Sequence, residues 1–209
     1  MKQGKISEAV IRRLPRYYRH LITLNEQGVE RISSGELANI MNLNASQIRQ
    51  DFNNFDSFGQ QGYGYQVKNL IKELGKILAL NKTYKMIIIG AGNIGRALTF
   101  YDGFRNSGFE VCALFDNDPS LVGCMYRDVP VYHVDLLEEY IAKNNITIGI
   151  YAAHSSFAQD LSEKMIKAGV KAIWNFAPVD INSSVPVENV HLVDSLYVLS
   201  YKLNNQSGA

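Results

Sequence analysis

The sequence predicts an α/β chain in two parts: a winged helix-turn-helix domain, then a Rossmann-like, doubly wound, mostly parallel sheet. Three observations carry this. Two short capped helices between residues 33 and 55 are joined by a three-residue turn. From residue 85 onward, apolar strand-like runs alternate with helical stretches. The first of those runs ends in Gly90-Ala91-Gly92-Asn93-Ile94-Gly95.

The bulk composition is that of a globular protein, with 46% apolar residues over 209 positions. The net charge of +1 hides an asymmetry. Residues 1–80 carry 11 Lys+Arg against 7 Asp+Glu, and residues 81–209 carry 10 against 13, so +4 faces −3. A basic end points to a polyanionic partner or to a solvated basic helix face. The two cysteines, Cys112 and Cys124, have no metal or redox spacing and suit a reducing cytoplasm. No apolar run reaches membrane-spanning length and no secretory leader is visible, so the expected location is cytoplasmic.

Along the first part, Ile6, Val10, Leu14, Tyr17, Leu21 and Leu24 recur at helical spacing. Pro15 interrupts them, which predicts a short turn and then a main helix from about Pro15, closed by Gly28. Ser33 followed by Glu36 is a capping box, with Leu37, Ile40 and Met41 as the buried face of the helix it opens. Asn42-Leu43-Asn44 is the turn, and Asn44 with Gln47 starts a second helix over about 45–55, buried through Ile48, Phe52 and Phe55. The arrangement reads as a helix-turn-helix over about 16–55, its second helix exposing Ser46, Gln47, Arg49, Gln50 and Asn53 to base edges and phosphates. Glycines between aromatics at 58–67 suit a hairpin wing, and residues 68–79 read as a helix. The predicted domain spans 1–80, with a linker at 81–83.

In the second part, 85–89, 110–115, 146–152 and 172–176 are apolar, β-rich strands. Helices are expected at 94–107, 134–144 and 157–168, with Gly108 and Gly169 as terminators, a small β insert at 128–132 and a last helix at 195–203. The glycine loop follows a buried strand and opens a helix, the setting in which such a fingerprint has meaning. Gly90 permits the sharp turn, Gly92 lets the backbone approach a pyrophosphate, and Gly95 lets helix and strand pack closely. The helix N-terminus offers unpaired N–H groups to the phosphates. Asp116, 26 residues after Gly90, ends the second strand, where a carboxylate accepts from ribose hydroxyls and repels a 2′-phosphate. NAD(H) is the expected ligand, with no metal.

A dehydrogenase would need a proton donor beside the nicotinamide. Of the four histidines only His154, just after a strand end, has a suitable address, and little chain remains for a substrate domain. An NAD-dependent oxidoreductase with an accessory N-terminal domain, or a nucleotide- or CoA-binding scaffold, are the alternatives; the reading taken is not an enzyme.

Several stretches, in order, resemble the Rex family of bacterial redox-sensing transcriptional repressors over essentially the whole chain. They include Arg13-Leu14-Pro15-Arg16-Tyr17-Tyr18-Arg19, Gln47-Ile48-Arg49-Gln50-Asp51-Phe52, the 90–95 loop, Phe115-Asp116-Asn117-Asp118-Pro119 and Asn175-Phe176-Ala177-Pro178. Val193-Asp194 and Leu199-Ser200-Tyr201 complete the set. The resemblance implies a homodimer with no membrane association. Residues 84–193 would form the NAD(H)-binding domain, and residues 194–209 a C-terminal helix and tail exchanged between subunits. It implies binding to palindromic operator DNA when NADH is scarce and release when NADH binds.

The resemblance also assigns roles. Arg12, Arg13 and Arg16 would be DNA-backbone contacts or interdomain partners, and further DNA contacts fall to Tyr17, to Ser46, Gln47, Arg49 and Gln50, and to the wing residues Gly59, Gln60, Gln61, Tyr63 and Tyr65. Cofactor contacts fall to Gly90, Ala91, Gly92, Asn93, Ile94 and Gly95, to Asp116 and Asn117, to Ala152, Ala153 and His154, and to Asn175, Phe176 and Pro178. Tyr101 and Asp194 would be switch or interdomain residues. The chain departs from the family pattern at Gln60 and Gln61, where wings commonly carry basic residues, and at Ala152-Ala153-His154, where a proline is common.

Overall fold

The computed structural model describes residues 6–55 and 64–206, and the chain divides into two compact units, Met1–Lys82 and Thr83–Ala209. The wing positions Gly59, Gln60, Gln61 and Tyr63 lie outside the described residues.

In the first unit, α1 (Glu8–Glu26) is followed by β1 (Arg31–Ile32), α2 (Ser34–Met41), α3 (Ala45–Phe52), β2 (Tyr65–Gln66) and α4 (Val67–Ile77). The helix α1 runs straight through Pro15, contrary to the expected break, from a Ser7 N-cap that accepts a hydrogen bond from the Val10 N–H. Pro15 lies on the solvent face, as does Ile11, whose carbonyl loses its helical donor there. Water can satisfy that carbonyl, while Val10, Leu14, Tyr17, Leu21 and Leu24 are buried along the other side. Gly28, at φ +79°, lets the chain leave the helix.

The capping box at α2 is complete: the Glu36 N–H donates to Ser33 Oγ at 3.1 Å and the Ser33 N–H to Glu36 Oε2 at 2.7 Å. That bond also holds the Glu36 carboxyl below its usual range. Asn42 in the left-handed conformation ends α2, and Asn44 caps α3 by accepting from the Ser46 N–H at 2.9 Å. Ile40, expected in the core, is exposed, and Ala38 takes the buried position instead. Only the end of the expected wing is described, and there Ile32 pairs with Tyr65 in a two-stranded antiparallel sheet with β1. The core joins α1, α2, α3 and α4 through Leu14, Tyr17, Leu37, Ile48, Phe52 and Leu70.

In the second unit, β3 (Tyr84–Ile89), β4 (Phe109–Asp116), β5 (Met125–Tyr126), β6 (Val129–His133), β7 (Ile148–Tyr151), β8 (Ala172–Asn175) and β9 (Val187–Asn189) form one sheet in the order β5-β6-β4-β3-β7-β8-β9. All neighbours are parallel except β5 and β6. The six strands from β6 to β9 follow the dinucleotide-fold order, with the reversal between β3 and β7. The expected β insert therefore belongs partly to the main sheet, since β6 pairs with β4.

Of the helices, α7 (Leu137–Asn144) and α8 (Ala158–Ala168) cover one face through Leu137, Ile141, Ala158 and Met165. On the other face, Leu98 of α5 (Asn93–Thr99) and Phe104 of α6 (Gly103–Asn106) join Ile88, Leu114 and Ile150. The single helix expected over 94–107 is thus two short ones. The Tyr101 ring folds over Gly103, where a Cβ would fall 2.5 Å from it. The last helix, α9 (Leu192–Gln206), starts earlier than expected, and Leu196, Tyr197, Val198, Leu199 and Tyr201 on it are each more than half exposed.

Candidate functional site

Two groups of expected site residues lie on the first unit. On α3, Ser46, Arg49, Gln50 and, just beyond the helix, Asn53 are exposed; Gln47 is half-buried at the edge of that face. Ile48, Asp51 and Phe52 form the opposite, buried side. Arg49 donates from Nη1 to Ser34 Oγ at 3.1 Å, which ties it to the start of α2, and Ser46 Oγ donates to Asn44 Oδ1 at 2.7 Å, which holds it at the turn. A short helix with polar tips on one face and a packed back is what reading a groove requires.

The α1 residues divide differently from expectation. Arg12 is exposed beside Glu8 at 3.1 Å, one helical turn away. Arg13 donates from Nε and Nη2 to the two oxygens of Asp51 at 2.6 and 2.8 Å. Arg16 donates to the Met41 carbonyl at the end of α2. Tyr17 is fully buried, which corrects its expected place at a DNA-facing surface: its O–H donates to Asp51 Oδ2 at 2.6 Å. Burial, with the Asp51 bond, pushes its phenol well above the usual value. Tyr65, half-buried, packs edge-on against Phe52 with ring centroids 5.2 Å apart.

On the second unit, a cavity of about 590 Å³ opens at the C-terminal ends of β3, β4 and β7. That volume lies in the range of small-molecule sites, and the strand reversal is where such folds bind ligands. Gly90, Gly92, Asp116, Asn117 and the 152–154 loop line it as expected. The glycines differ in what they do. Gly90 has φ +98°, and a Cβ on it would fall 2.6 Å from the Ala152 carbonyl oxygen. A Cβ on Gly95 would fall 1.9 Å from the Gly90 carbonyl oxygen. A Cβ on Gly92 would meet nothing within 4 Å, and its φ of −72° suits any residue. The fold needs the first and last glycines; the middle one leaves a space at the start of α5 that no atom of the described residues fills.

Asp116 accepts from the Ala91 N–H at 2.7 Å through Oδ2 and from the Asp118 N–H at 3.0 Å through Oδ1. Each oxygen keeps a second lone-pair direction for a ligand hydroxyl. The early N–H groups of α5, from Gly92 to Ile94, lack a carbonyl four residues back within the helix. With seven residues, α5 supplies less dipole than the expected longer helix would. Tyr151, fully buried, donates to the His154 carbonyl at 2.7 Å and so pins the 152–154 loop. Burial raises its phenol to about 12, which keeps the donor protonated.

Residues 5–53 match the family described as "Putative DNA-binding protein N-terminus", and residues 81–179 the family described as "CoA binding domain". Over 207 residues the chain is 52% identical to the redox-sensing transcriptional repressor Rex of Thermoanaerobacter pseudethanolicus, covering 98% of this chain and 92% of that one. The chain belongs to the Rex family. The solved structure of a Rex-family repressor, RSP, in complex with β-NAD+ and operator DNA is 51% identical, with a TM-score of 0.91, over 98% of this chain and 95% of that one. RSP in complex with β-NADH is 49% identical, with a TM-score of 0.89, over 98% and 97%.

Membership in the Rex family makes the protein a transcriptional repressor rather than a dehydrogenase. His154 is exposed on the cavity rim with Nδ1 3.0 Å from Ser156 Oγ. Several other expected cofactor residues do not line the cavity. Ala91 and Gly95 are buried beneath the loop, and Asn93 and Ile94 point to solvent. Asn175 is fully buried, its Nδ2 donating to the carbonyls of Ala177 and Val179 and its Oδ1 accepting from the Ala177 N–H at 2.9 Å. It shapes the 176–179 loop from within. Phe176 packs on Trp174, with ring centroids 4.6 Å apart, and Pro178 is exposed. Tyr101 is exposed against Phe104, Asp194 is exposed in the first turn of α9, and no hydrogen bond joins the two among the described residues.

Sequence reasoning missed one wall of the cavity. Phe157, Asp160, Leu161 and Lys164 line it. Their spacing of three, four and seven is a helix face, but a mixed one, and a search for apolar stripes passes over it.

Proposed function

We propose that the protein binds a palindromic operator as a homodimer when NADH is scarce and releases it when NADH occupies the cavity of the second unit. The observation that carries the ligand half is Gly92: a side chain there is excluded neither by backbone angle nor by neighbouring atoms, yet glycine stands where a pyrophosphate would approach the start of α5. Gly90, Gly92 and the early α5 N–H groups would hold the phosphates, and Asp116 the adenosine ribose. The carboxylate would repel a 2′-phosphate, which favours NADH over NADPH. The reduced and oxidised nicotinamides differ by one charge, and an apolar surround would favour the neutral, reduced ring; Phe115, Phe157 and Leu161 are the apolar part of the cavity lining. A ligand that binds both conformations equally shifts nothing, so this preference is the sensing step.

Ser46, Gln47, Arg49 and Gln50 would meet DNA, with Arg12 adding a phosphate contact and the wing, including Gly59, Gln60, Gln61 and Tyr63, approaching the minor groove. RSP in complex with operator DNA supports that half. The α9 helix supports the dimer: a helix carrying Leu196, Val198 and Leu199 in solvent gains little by folding alone and is covered if a second copy receives it. In this reading residues 1–80, 84–193 and 194–209 act as reader, sensor and exchanged coupling element, and Tyr101 and Asp194 meet across subunits. A change in the separation of the two reading helices would then break the match to half-site spacing.

Fluorescence anisotropy on a palindromic duplex at fixed salt tests this, with NADH, NAD+, NADPH and coenzyme A added in turn. NADH alone is expected to weaken binding by about tenfold or more, within the usual range of allosteric coupling. Unchanged affinity at saturating NADH would overturn the switch, and a response to coenzyme A alone would transfer the site to another adenine ligand.

A further inference from the structure

Asp51 is 2% exposed and sits on the buried side of α3, immediately after the exposed Gln50. Three hydrogen bonds reach its carboxylate from α1: two from the Arg13 guanidinium and one from the Tyr17 phenol, at 2.6 to 2.8 Å. The Tyr17 ring also stands edge-on to Phe52 at 5.2 Å, and Phe52 to Tyr65 at 5.2 Å. Three residues along α1 from Arg13, Arg16 bonds the last carbonyl of α2, one residue before the turn. Two of the arginines that looked like phosphate ligands therefore grip the helix-turn-helix itself.

An apolar contact holds two helices together without fixing how far one rotates or slides along the other, because it is non-directional. A two-pronged guanidinium–carboxylate pair fixes both angle and distance. A buried ion pair gains little stability over an apolar cluster of the same volume, since desolvation offsets the attraction; its best-attested use is to select one arrangement among several. Base-edge hydrogen bonds tolerate errors of only about 0.5 Å and 10–20°.

We propose that Arg13, Tyr17 and Asp51 form a positioning unit that sets the pitch and depth of α3, so that they govern sequence discrimination on DNA without touching DNA. This rests on the DNA-binding reading above. Arg13 contributes no phosphate contact in this account, and the basic cluster of α1 is in part an internal clamp.

The test compares the full-length wild type with the triple variant Arg13→Met, Tyr17→Phe, Asp51→Leu, which replaces the polar cluster by an apolar one of similar volume. The probes are a palindromic duplex enriched from a randomised pool by the wild type, and a scrambled duplex of the same length and composition. Thermal unfolding checks that the variant is folded. The expected result is a fall of roughly tenfold or more in the ratio of palindrome to scrambled affinity, about the value of a lost base contact. Scrambled-duplex affinity and the slope of log K against log salt should be unchanged. A slope smaller by about 0.9 per subunit would show Arg13 on a phosphate and overturn the proposal. So would an unchanged ratio. Should the triple variant fail to fold, Tyr17→Phe removes one bond from Asp51 and leaves the core intact. It should lower the ratio about threefold at constant slope, the size of one ordinary hydrogen bond, and an unchanged ratio again overturns the proposal. A wild type that enriches no sequence would sink the DNA-binding reading and this inference with it, whereas equal discrimination by wild type and variant sinks the inference alone.

Discussion

The two units build their candidate sites from different parts of the chain. In the first, exposed side chains on α3 face outward and a buried polar cluster holds the helix from behind. In the second, the site is largely backbone: a glycine turn, free N–H groups and one carboxylate anchored by main-chain donors. The contrast teaches where substitutions are tolerated. A side-chain reader can be altered residue by residue, whereas a backbone site is sensitive to a single methyl group, with consequences that depend on which glycine receives it.

The largest effects should separate fold from site within one loop. Gly95→Ala puts a methyl group against the Gly90 carbonyl, so equilibrium unfolding of the second unit is expected to show a loss of roughly 3 kcal/mol or more. Gly92→Ala should cost less than about 1 kcal/mol in the same measurement. Titration calorimetry should nonetheless find NADH affinity down by more than about tenfold, because the methyl group occupies the pyrophosphate's approach. Equal behaviour of the two variants would erase the distinction drawn between the glycines.

Asp116→Ala comes next. Loss of a charged acceptor for the ribose should weaken NADH binding by roughly tenfold to a hundredfold and narrow the preference over NADPH. Competition titrations with the two cofactors read both numbers. A variant that keeps its preference would move the discrimination away from Asp116.

The smallest effect lies in the first unit. Burial, with the nearby charges of Arg16 and Arg19, holds the His20 imidazole below its usual value of 6.5. The unfolded chain therefore takes up the proton first as pH falls, and stability present above that value declines as pH drops toward the folded one. His20→Gln should flatten the stability curve between about pH 7 and 5 by a few tenths of a kcal/mol, measured by urea unfolding. If the wild-type curve is already flat there, the helix α1 carries no such cost.

How much was legible in the sequence follows from the range of each interaction. The Ser33–Glu36 box, the Asn42–Asn44 turn, the buried stripe of α1 and the glycine loop are local patterns, and each appears where its residues predict. Pro15 misled because proline's penalty depends on which face it occupies, and α1 turns that face to water. The pairing of β6 with β4 and the clasp between Arg13 and Asp51, 38 residues apart, are long-range choices that no window of sequence contains. Charge clusters likewise do not say which way their side chains point. The mixed face of α8 was visible as a period, but its residues belong to no single chemical class.

The asymmetry between Gly92 and Gly95 also bears on how such a regulator changes over generations. Glycine becomes alanine through a single base substitution. At position 95 that change would disrupt the second unit; at position 92, if the proposed ligand site is right, it would leave a folded repressor with an obstructed ligand pocket. A regulator that stays on its operator whatever the redox state would then lie one base change from this sequence, and selection for metabolic silence could reach it without passing through a misfolded intermediate.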